Sequence, residues 1–255
     1  MTETESTAQR TQRELAEAAG DARARTPEDA QDASIPVAAT VIVLRDGAAG
    51  PEVLVMERPD RGSFAGAWVF PGGRLEPGDV RDPQESEEDV ARRAGARETV
   101  EEVGLQLDPA GFVTMSRWDP PPGLPLRIRT WFFATRGDDA ELVLSEHEVV
   151  TAQWARPEEL LERHGRGEIT LYPPTWVTLH SLAGQGDVDA VLAMLRLRGV
   201  DEFDSIVRRH PTGPVFLWRG DAEYAEDAAG AGPEASARHR LETGALPWIY
   251  TRTVS

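Results

Sequence analysis

The sequence predicts an α/β fold, because strand-like and helix-like segments are interleaved along the chain. Residues 37–44 form a nearly continuous apolar run rich in β-branched side chains, which is typical of a strand buried on both faces. Residues 52–58 follow after a turn and read as its hairpin partner. Residues 86–103 have helix-forming composition, and Gly104 stands where a helix commonly ends.

The bulk composition excludes several classes of function. The chain has 255 residues, 40% hydrophobic and 28% charged, which is ordinary for a globular protein. Its formal net charge of -17 makes a general attraction for DNA or RNA improbable, so nucleic acid is not an expected partner. The absence of cysteine excludes disulfides, thiolate metal sites and cysteine nucleophiles.

Residues 1–33 are polar and acidic, and they contain too little apolar surface to anchor a helix. We therefore expect a disordered acidic tail. This segment contains no apolar run that could serve as a secretory signal or a membrane span, so a cytoplasmic location without a membrane partner is the default expectation.

The segment from 62 to 79 is dense in glycine and proline, which forbids regular structure over most of its length and marks a functional loop. Further strands and helices are expected downstream. The strands are residues 111–118, 126–135, 149–155, 215–218 and 248–253, and the helices are 157–164, 174–182 and 188–196.

Three carboxylates project from one face of the predicted helix that follows this loop. Glu98, Glu101 and Glu102 stand at positions i, i+3 and i+4, where like charges need either solvent or a compensating cation. Oxygen ligands in this arrangement suit Mg²⁺ or Mn²⁺. The alternative is an ordinary solvated helix face, but the preceding glycine-rich loop, Arg97 and Gly104 together favour a site.

Residues 73–79 and 97–105 resemble the Nudix box, whose pattern is Gly, five residues, Glu, seven residues, then Arg-Glu-apolar-x-Glu-Glu-x-Gly-apolar. The second half matches from Arg97 to Leu105, with Thr99 as the one soft position. The first half departs twice, because Asp79 replaces the glutamate and the 17 residues 80–96 replace the seven. Extra residues at that point can bulge out without moving the carboxylates.

This resemblance implies an α/β/α sandwich with a mixed sheet over residues 34–185, and residues 186–255 as an extension packed on the same domain. It implies a hydrolase that uses Mg²⁺ or Mn²⁺ to cut a diphosphate bond in a nucleoside diphosphate linked to a group X. Glu98 and Glu102 are the first metal ligands that it implies, Glu101 a third and the Gly73 carbonyl a fourth. Arg97 orients the box through a salt bridge.

The interrupted box is similar to that of the peroxisomal-type coenzyme A diphosphatases, as is the proline-containing segment 171–176. Arg58 and Gly72 with Gly73 resemble their substrate-binding motif, although the interval from Arg58 to Gly66 is two residues short. The alternative for Arg58 is pairing with a neighbouring strand. Coenzyme A or its acyl esters lead the substrates, with ADP-ribose, NADH, nucleotide sugars and nucleoside triphosphates as alternatives.

Two other classes of function stay open, namely a non-catalytic Nudix-fold nucleotide sensor and an acidic interaction protein with a coincidental box. Glu98 is the first choice of general base. The 146–148 segment is expected to be a solvated loop, and the resemblance implies a general base in that region as the alternative. Trp68 is expected in the core, with stacking on a base as the alternative. Residues 186–255 would form a homodimer surface or a lid.

Overall fold

The computed structural model describes residues 7–21, 23–30, 32–62, 64–124, 126–224 and 236–253. The helices are α1 (Thr7–Asp21), α2 (Pro27–Ala30), α3 (Glu87–Val103), α4 (Pro157–Gly165), α5 (Pro173–Leu182) and α6 (Val188–Arg198). The strands are β1 (Val37–Gly47), β2 (Gly50–Glu57), β3 (Trp68–Val69), β4 (Gly72–Arg74), β5 (Val113–Asp119), β6 (Arg129–Arg136), β7 (Thr151–Ala155), β8 (Asp201–Asp204), β9 (Ile206–His210), β10 (Gly213–Leu217), β11 (His239–Glu242) and β12 (Ile249–Arg252).

Strand β1 is the centre of a mixed sheet, as predicted. It pairs antiparallel with β2 and parallel with β6, and the strand order is β3-β2-β1-β6-β5-β8. Strand β4 pairs with β1 and β7 pairs with β2 beside this path. The side chains from Val41 to Leu44 are fully buried, which explains the unbroken apolar run in the sequence.

Helices cover both faces of this sheet and form the three layers of an α/β/α sandwich. On one face, Val41 and Val43 of β1 share a cluster with Ala91 and Ala94 of α3. On the other face, Ile42 and Leu44 pack in a larger cluster with α4, α5 and α6. The alternation of side chains along a strand therefore decides which helix each β1 residue contacts.

The inserted residues between the two halves of the box lengthen the helix. Helix α3 begins at Glu87, where the Ser86 side chain accepts a hydrogen bond from the Asp89 amide, and residues 87–96 are helical. The helix predicted over residues 86–103 is therefore confirmed, and most of the insertion lies within it and does not bulge out. A serine N-cap followed by three acidic residues in the first turn makes an extended helix favourable.

The N-terminal segment contains a helix where a disordered tail was expected. Helix α1 packs against β9 and β10, and Leu15 is 6% exposed. Thr11, Leu15 and Ala19 are all buried, and their four-residue spacing puts them on one helix face. The low average hydrophobicity of the segment did not indicate this stripe, although three buried residues are sufficient to pack the helix against the sheet. Residues 1–6 lie outside the described part of the chain.

The C-terminal residues extend the sandwich and build a second sheet. Strand β8 pairs in parallel with β5 and so completes the main sheet. Strands β12, β11, β10 and β9 form a separate antiparallel sheet in that order. The predicted strands near 215–218 and 248–253 match β10 and β12, while β8, β9 and β11 are additional.

Among the described residues, no helix is both long and apolar enough to cross a membrane.

His164 on α4 is buried against the ring of Trp248, with ring centroids 4.5 Å apart. Burial lowers the pKa of His164 from 6.5 to about 4, so its imidazole is neutral in the folded protein at neutral pH. Between pH 4 and pH 6.5 the unfolded chain therefore binds more protons than the folded chain. The contribution of the neutral His164 to the free energy of unfolding is fully present above pH 6.5 and is lost as the pH falls through about 4.

We predict that lowering the pH from 7 to 5 removes about 2 kcal/mol of the free energy of unfolding through His164. Urea denaturation of the wild type and of His164→Phe at both pH values measures it, because the variant should lack this part of the acid sensitivity. The matched control is His147→Gln in an exposed loop, which should keep the wild-type dependence. Equal acid sensitivity of His164→Phe and wild type would contradict the assignment.

Candidate active site

The glycine-rich loop reaches the predicted carboxylates because β4 pairs with β1. Gly73 pairs with Ala39 and Gly72 with Thr40. A Cβ on Gly72 would lie 2.2 Å from the Ala39 carbonyl oxygen, and one on Gly73 would lie 2.3 Å from the carboxyl carbon of Glu98. Glycine at Gly72 is therefore required by close packing against the β1 backbone, and at Gly73 the carboxyl group of Glu98 lies directly on the loop backbone.

Glu102 connects helix α3 to the glycine-rich loop. It is 2% exposed, and its Oε2 accepts a hydrogen bond of 2.8 Å from the Gly72 amide. Its Oε1 lies 3.6 Å from Nη1 of Arg58. Burial, with a smaller contribution from the negative charge of Glu98, raises the pKa of Glu102 to about 8, although the Gly72 amide and Arg58 oppose the shift.

Glu98 and Glu101 have different surroundings although both contact Arg97. Burial raises the pKa of Glu98, while Arg97 opposes the shift. Glu101 is 52% exposed, and its Oε2 lies 3.0 Å from Nη1 of Arg97. The structure thus brings Glu98 and Glu102 together against the loop and leaves Glu101 at the surface on the arginine.

Arg97 connects the two halves of the box. Its Nε and Nη2 donate to the two carboxylate oxygens of Asp79 at 3.1 Å each, and Nη2 also donates to the Arg74 carbonyl at 2.9 Å. Asp79 is 5% exposed and accepts a further hydrogen bond from the Glu76 amide. A 3₁₀ turn over Pro77–Asp79 carries the aspartate to the helix, so the shorter side chain still spans the gap.

A fourth carboxylate, on Glu148, lies near the site, although a solvated loop was the favoured expectation for this segment. Its negative charge contributes to the raised pKa values of both Glu98 and Glu102. The loop is fixed on one side by the Val150 amide, which donates to the Glu57 carbonyl at 2.9 Å. No local pattern in the sequence indicates this approach, because it depends on the pairing of β7 with β2. Glu148 remains exposed, so solvent still reaches it.

The described residues contain no group of three or more aspartate, glutamate, histidine or cysteine side chains arranged to hold a metal ion. Two neighbouring carboxyl groups with raised pKa values, Glu98 and Glu102, do meet the loop there. Negative charge in such a place is poorly compensated, and carboxylate oxygens are the ligands that hard divalent cations prefer. The donor chemistry therefore fits a divalent cation at this pair.

Two other residues singled out by sequence occupy different surroundings. Arg58 borders the site through Glu102, and its Nε is buried with no hydrogen-bond partner among the described residues. Trp68 is 7% exposed, and the guanidinium of Arg163 lies over its ring at 5.2 Å. The packing role of Trp68 is confirmed, and the stacking alternative is wrong because the ring is covered.

Helix α1 holds the loop that follows Arg58. Arg10 forms an ion pair with Asp60, and the Tyr172 hydroxyl donates to Oε2 of Glu14 at 2.9 Å. The ring of Tyr172 meets Phe64 edge-on, with centroids 4.8 Å apart. Phe64 has a φ of 59°, which is a strained conformation for a bulky side chain. The N-terminal helix therefore braces a strained loop beside the site.

The same loop contacts the Glu148 segment, since Nη2 of Arg61 donates to the His147 carbonyl at 3.0 Å. Arg58 and Arg61 thus connect this part of the chain to the buried Glu102 and to the backbone of His147, which precedes Glu148. The loop forms one wall of the site.

Comparison with known proteins agrees with this arrangement. The family model described as "NUDIX domain" matches residues 35–173. The CTP pyrophosphohydrolase of Escherichia coli (strain K12) is 30% identical over 121 residues, which cover 48% of this chain and 76% of that protein. The crystal structure of a NUDIX hydrolase from Alicyclobacillus acidocaldarius superposes with a TM-score of 0.56 and 26% identity, covering 64% of this chain and 97% of that one.

We predict that Asp79→Ala lowers the free energy of unfolding by about 3 kcal/mol, because it leaves the guanidinium of Arg97 without its buried partner. Urea denaturation measures the change. Asp79→Glu should restore most of the stability because it keeps the carboxylate. Asp82→Ala, at an exposed position of the same loop, should change it by less than about 0.5 kcal/mol. Equal effects of the two alanine variants would show that the ion pair between Asp79 and Arg97 does not stabilise the fold.

We also predict that Arg10→Ala accelerates amide hydrogen exchange severalfold in residues 59–67, because the loop loses its ion pair with α1. Hydrogen exchange followed by mass spectrometry measures this. Glu17→Gln is the control, since Glu17 pairs with Arg13 inside the same helix. Unchanged exchange in Arg10→Ala would show that the loop is held without α1.

Proposed function

Because the chain belongs to the NUDIX family and is a Nudix hydrolase, we propose that it cleaves a diphosphate bond in a nucleoside diphosphate linked to a group X. The observation that carries the proposal is the meeting of Glu98 and Glu102 with the glycine loop at Gly72 and Gly73. Under this proposal, Mg²⁺ or Mn²⁺ is held by these two glutamates, with the Gly73 carbonyl as a further ligand.

When bound, the divalent cation supplies neutralisation of the diphosphate charge and activation of the attacking water. Glu98 is the proposed base that accepts the proton of that water, and Glu148 is a second candidate for this role. Arg58 offers a cation to the substrate from the loop wall. Arg97 is a positioning residue, since its contacts go to Asp79, the Arg74 carbonyl and the glutamates.

Coenzyme A or an acyl-coenzyme A is the proposed substrate. The support is the interrupted box, the segment 171–176 and the position of Arg58 beside Glu102. Nucleoside triphosphate pyrophosphohydrolysis is a second candidate, favoured by the name of the Escherichia coli relative. ADP-ribose, NADH and nucleotide sugars are the other candidate substrates. The cytoplasmic location and the homodimer stay predictions.

Hydrolysis assays with Mg²⁺ or Mn²⁺ on coenzyme A, CTP, ADP-ribose, NADH and a nucleotide sugar test the function. We expect turnover of at least one member, with a nucleoside 5′-phosphate among the products, which in the case of coenzyme A retains its 3′-phosphate. Absence of turnover on every member would overturn the proposed activity, and nucleotide binding without turnover would identify a sensor instead.

We predict that Glu98→Gln and Glu102→Gln each lower kcat about a thousandfold, which corresponds to about 4 kcal/mol of transition-state stabilisation. Glu101→Gln is the matched control on the same helix. It should lower kcat by less than about tenfold, because Glu101 is exposed and pairs with Arg97. Near wild-type rates of Glu102→Gln at saturating Mg²⁺, with the fold verified by circular dichroism, would refute its role as a ligand.

A further inference from the structure

A second cavity, of about 250 Å³, lies at the junction of the main sheet and the C-terminal sheet. Strand β5 and helix α5 form its inner side, and the end of α6, β8 and β12 form its rim. Most of the rim comes from residues after 186, outside the segment that matches the family model. The chain thus encloses a space that the matched domain does not itself provide.

The inner side of this cavity is aromatic and apolar. Trp118 of β5 and Phe203 of β8 stack with ring centroids 3.8 Å apart, and Met115 and Val177 are buried beside them. The ring of Tyr250 is among the residues that line the opening. Such surfaces favour a flat apolar group, because aromatic side chains gain from offset or edge-to-face contact with another ring.

The rim carries two guanidinium groups for one carboxylate. Asp201 lies 3.2 Å from Nε of Arg198 and 3.2 Å from Nη2 of Arg252. Burial lowers the pKa of His180, so this rim residue is neutral at pH 7. One positive charge is therefore left uncompensated among these lining groups, in a chain whose net charge is -17. Both arginines keep further N–H donors beyond those that contact Asp201.

The cavity is separated from the candidate active site by the main sheet. Met115 and Trp118 belong to the cluster formed with α4, α5 and α6. Helix α3, which carries Glu98 and Glu102, packs on the other face against Val41 and Val43. A molecule in this cavity therefore occupies a different site from the substrate of the proposed hydrolase.

We propose that this cavity is a second ligand site, which binds a small organic anion made of one flat ring bearing a carboxylate or a phosphate. The ring lies against the aromatic inner side, and the anion is bound by Arg198 and Arg252, whose planar donor groups match both kinds of anion. The volume is below the roughly 300–1,000 Å³ typical of sites for drug-sized ligands, so a single ring is the appropriate size.

Calorimetric titration of the full chain with phenyl phosphate and, separately, with benzoate tests the proposal and distinguishes the two anions. Inorganic phosphate provides an arm without the ring. We expect one saturable site for at least one aromatic anion, with weaker binding of inorganic phosphate. Absence of saturable binding for both aromatic probes would overturn the proposal.

Arg198→Ala and Arg252→Ala should each weaken that binding at least about tenfold, the loss expected of one charge-assisted contact. Arg196→Ala, at an exposed position of the same helix, should leave it unchanged. Arg252→Lys keeps the positive charge but lacks the planar guanidinium group, so its affinity for the probe should lie between those of wild type and Arg252→Ala. This intermediate affinity would show that the loss in Arg252→Ala does not come from misfolding.

Glu102→Gln should also bind as the wild type does, because the active site lies across the sheet. Binding that depends on Glu102 and not on Arg198 or Arg252 would place the probe in the active site and refute the second site. These titrations need no turnover, so their outcome is independent of whether the proposed hydrolase activity is found.

Discussion

The hydrogen bond from the Gly72 amide to the buried carboxyl group of Glu102 is the interaction on which the site depends. It joins the glycine-rich segment, at the short strand β4, to a helix that is anchored in the core. Gly72 in turn packs against β1 so closely that no side chain fits. Loop, helix and central strand therefore hold one another in position, which is the preorganisation that catalysis at a charged centre requires.

The sequence predicted the parts of the structure that depend on local pattern. The unbroken apolar run of β1, the glycine-rich loop and the helix ending at Gly104 were all found, because each is specified by residues close together in the chain. Asp79, which stands in place of the glutamate of the box, still forms the ion pair with Arg97. Its contact with Arg97 depends only on a short turn and the start of the helix.

Long-range contacts account for what could not be predicted. Helix α1 docks through a narrow apolar stripe. Its polar contacts, from Arg10 to Asp60 and from Tyr172 to Glu14, join residues that are far apart in the chain, so the sequence alone does not indicate them. Glu148 approaches Glu98 and Glu102 because β7 pairs with β2, a register that no local pattern specifies. Glu101 is separate because the glycine-rich loop covers Glu98 and Glu102 and leaves Glu101 exposed, whereas helical spacing alone treats all three alike.

Helix α3 has the three glutamates of the box in the second half of its length, and its last turn contains no basic residue. The peptide dipoles of a helix add to a partial negative charge at the C-terminus. Glu101 and Glu102 therefore stand in the last turn, where the partial negative charge of the backbone repels anions. The same alignment attracts a cation, so the architecture of the helix favours positive charge at the site independently of its side chains.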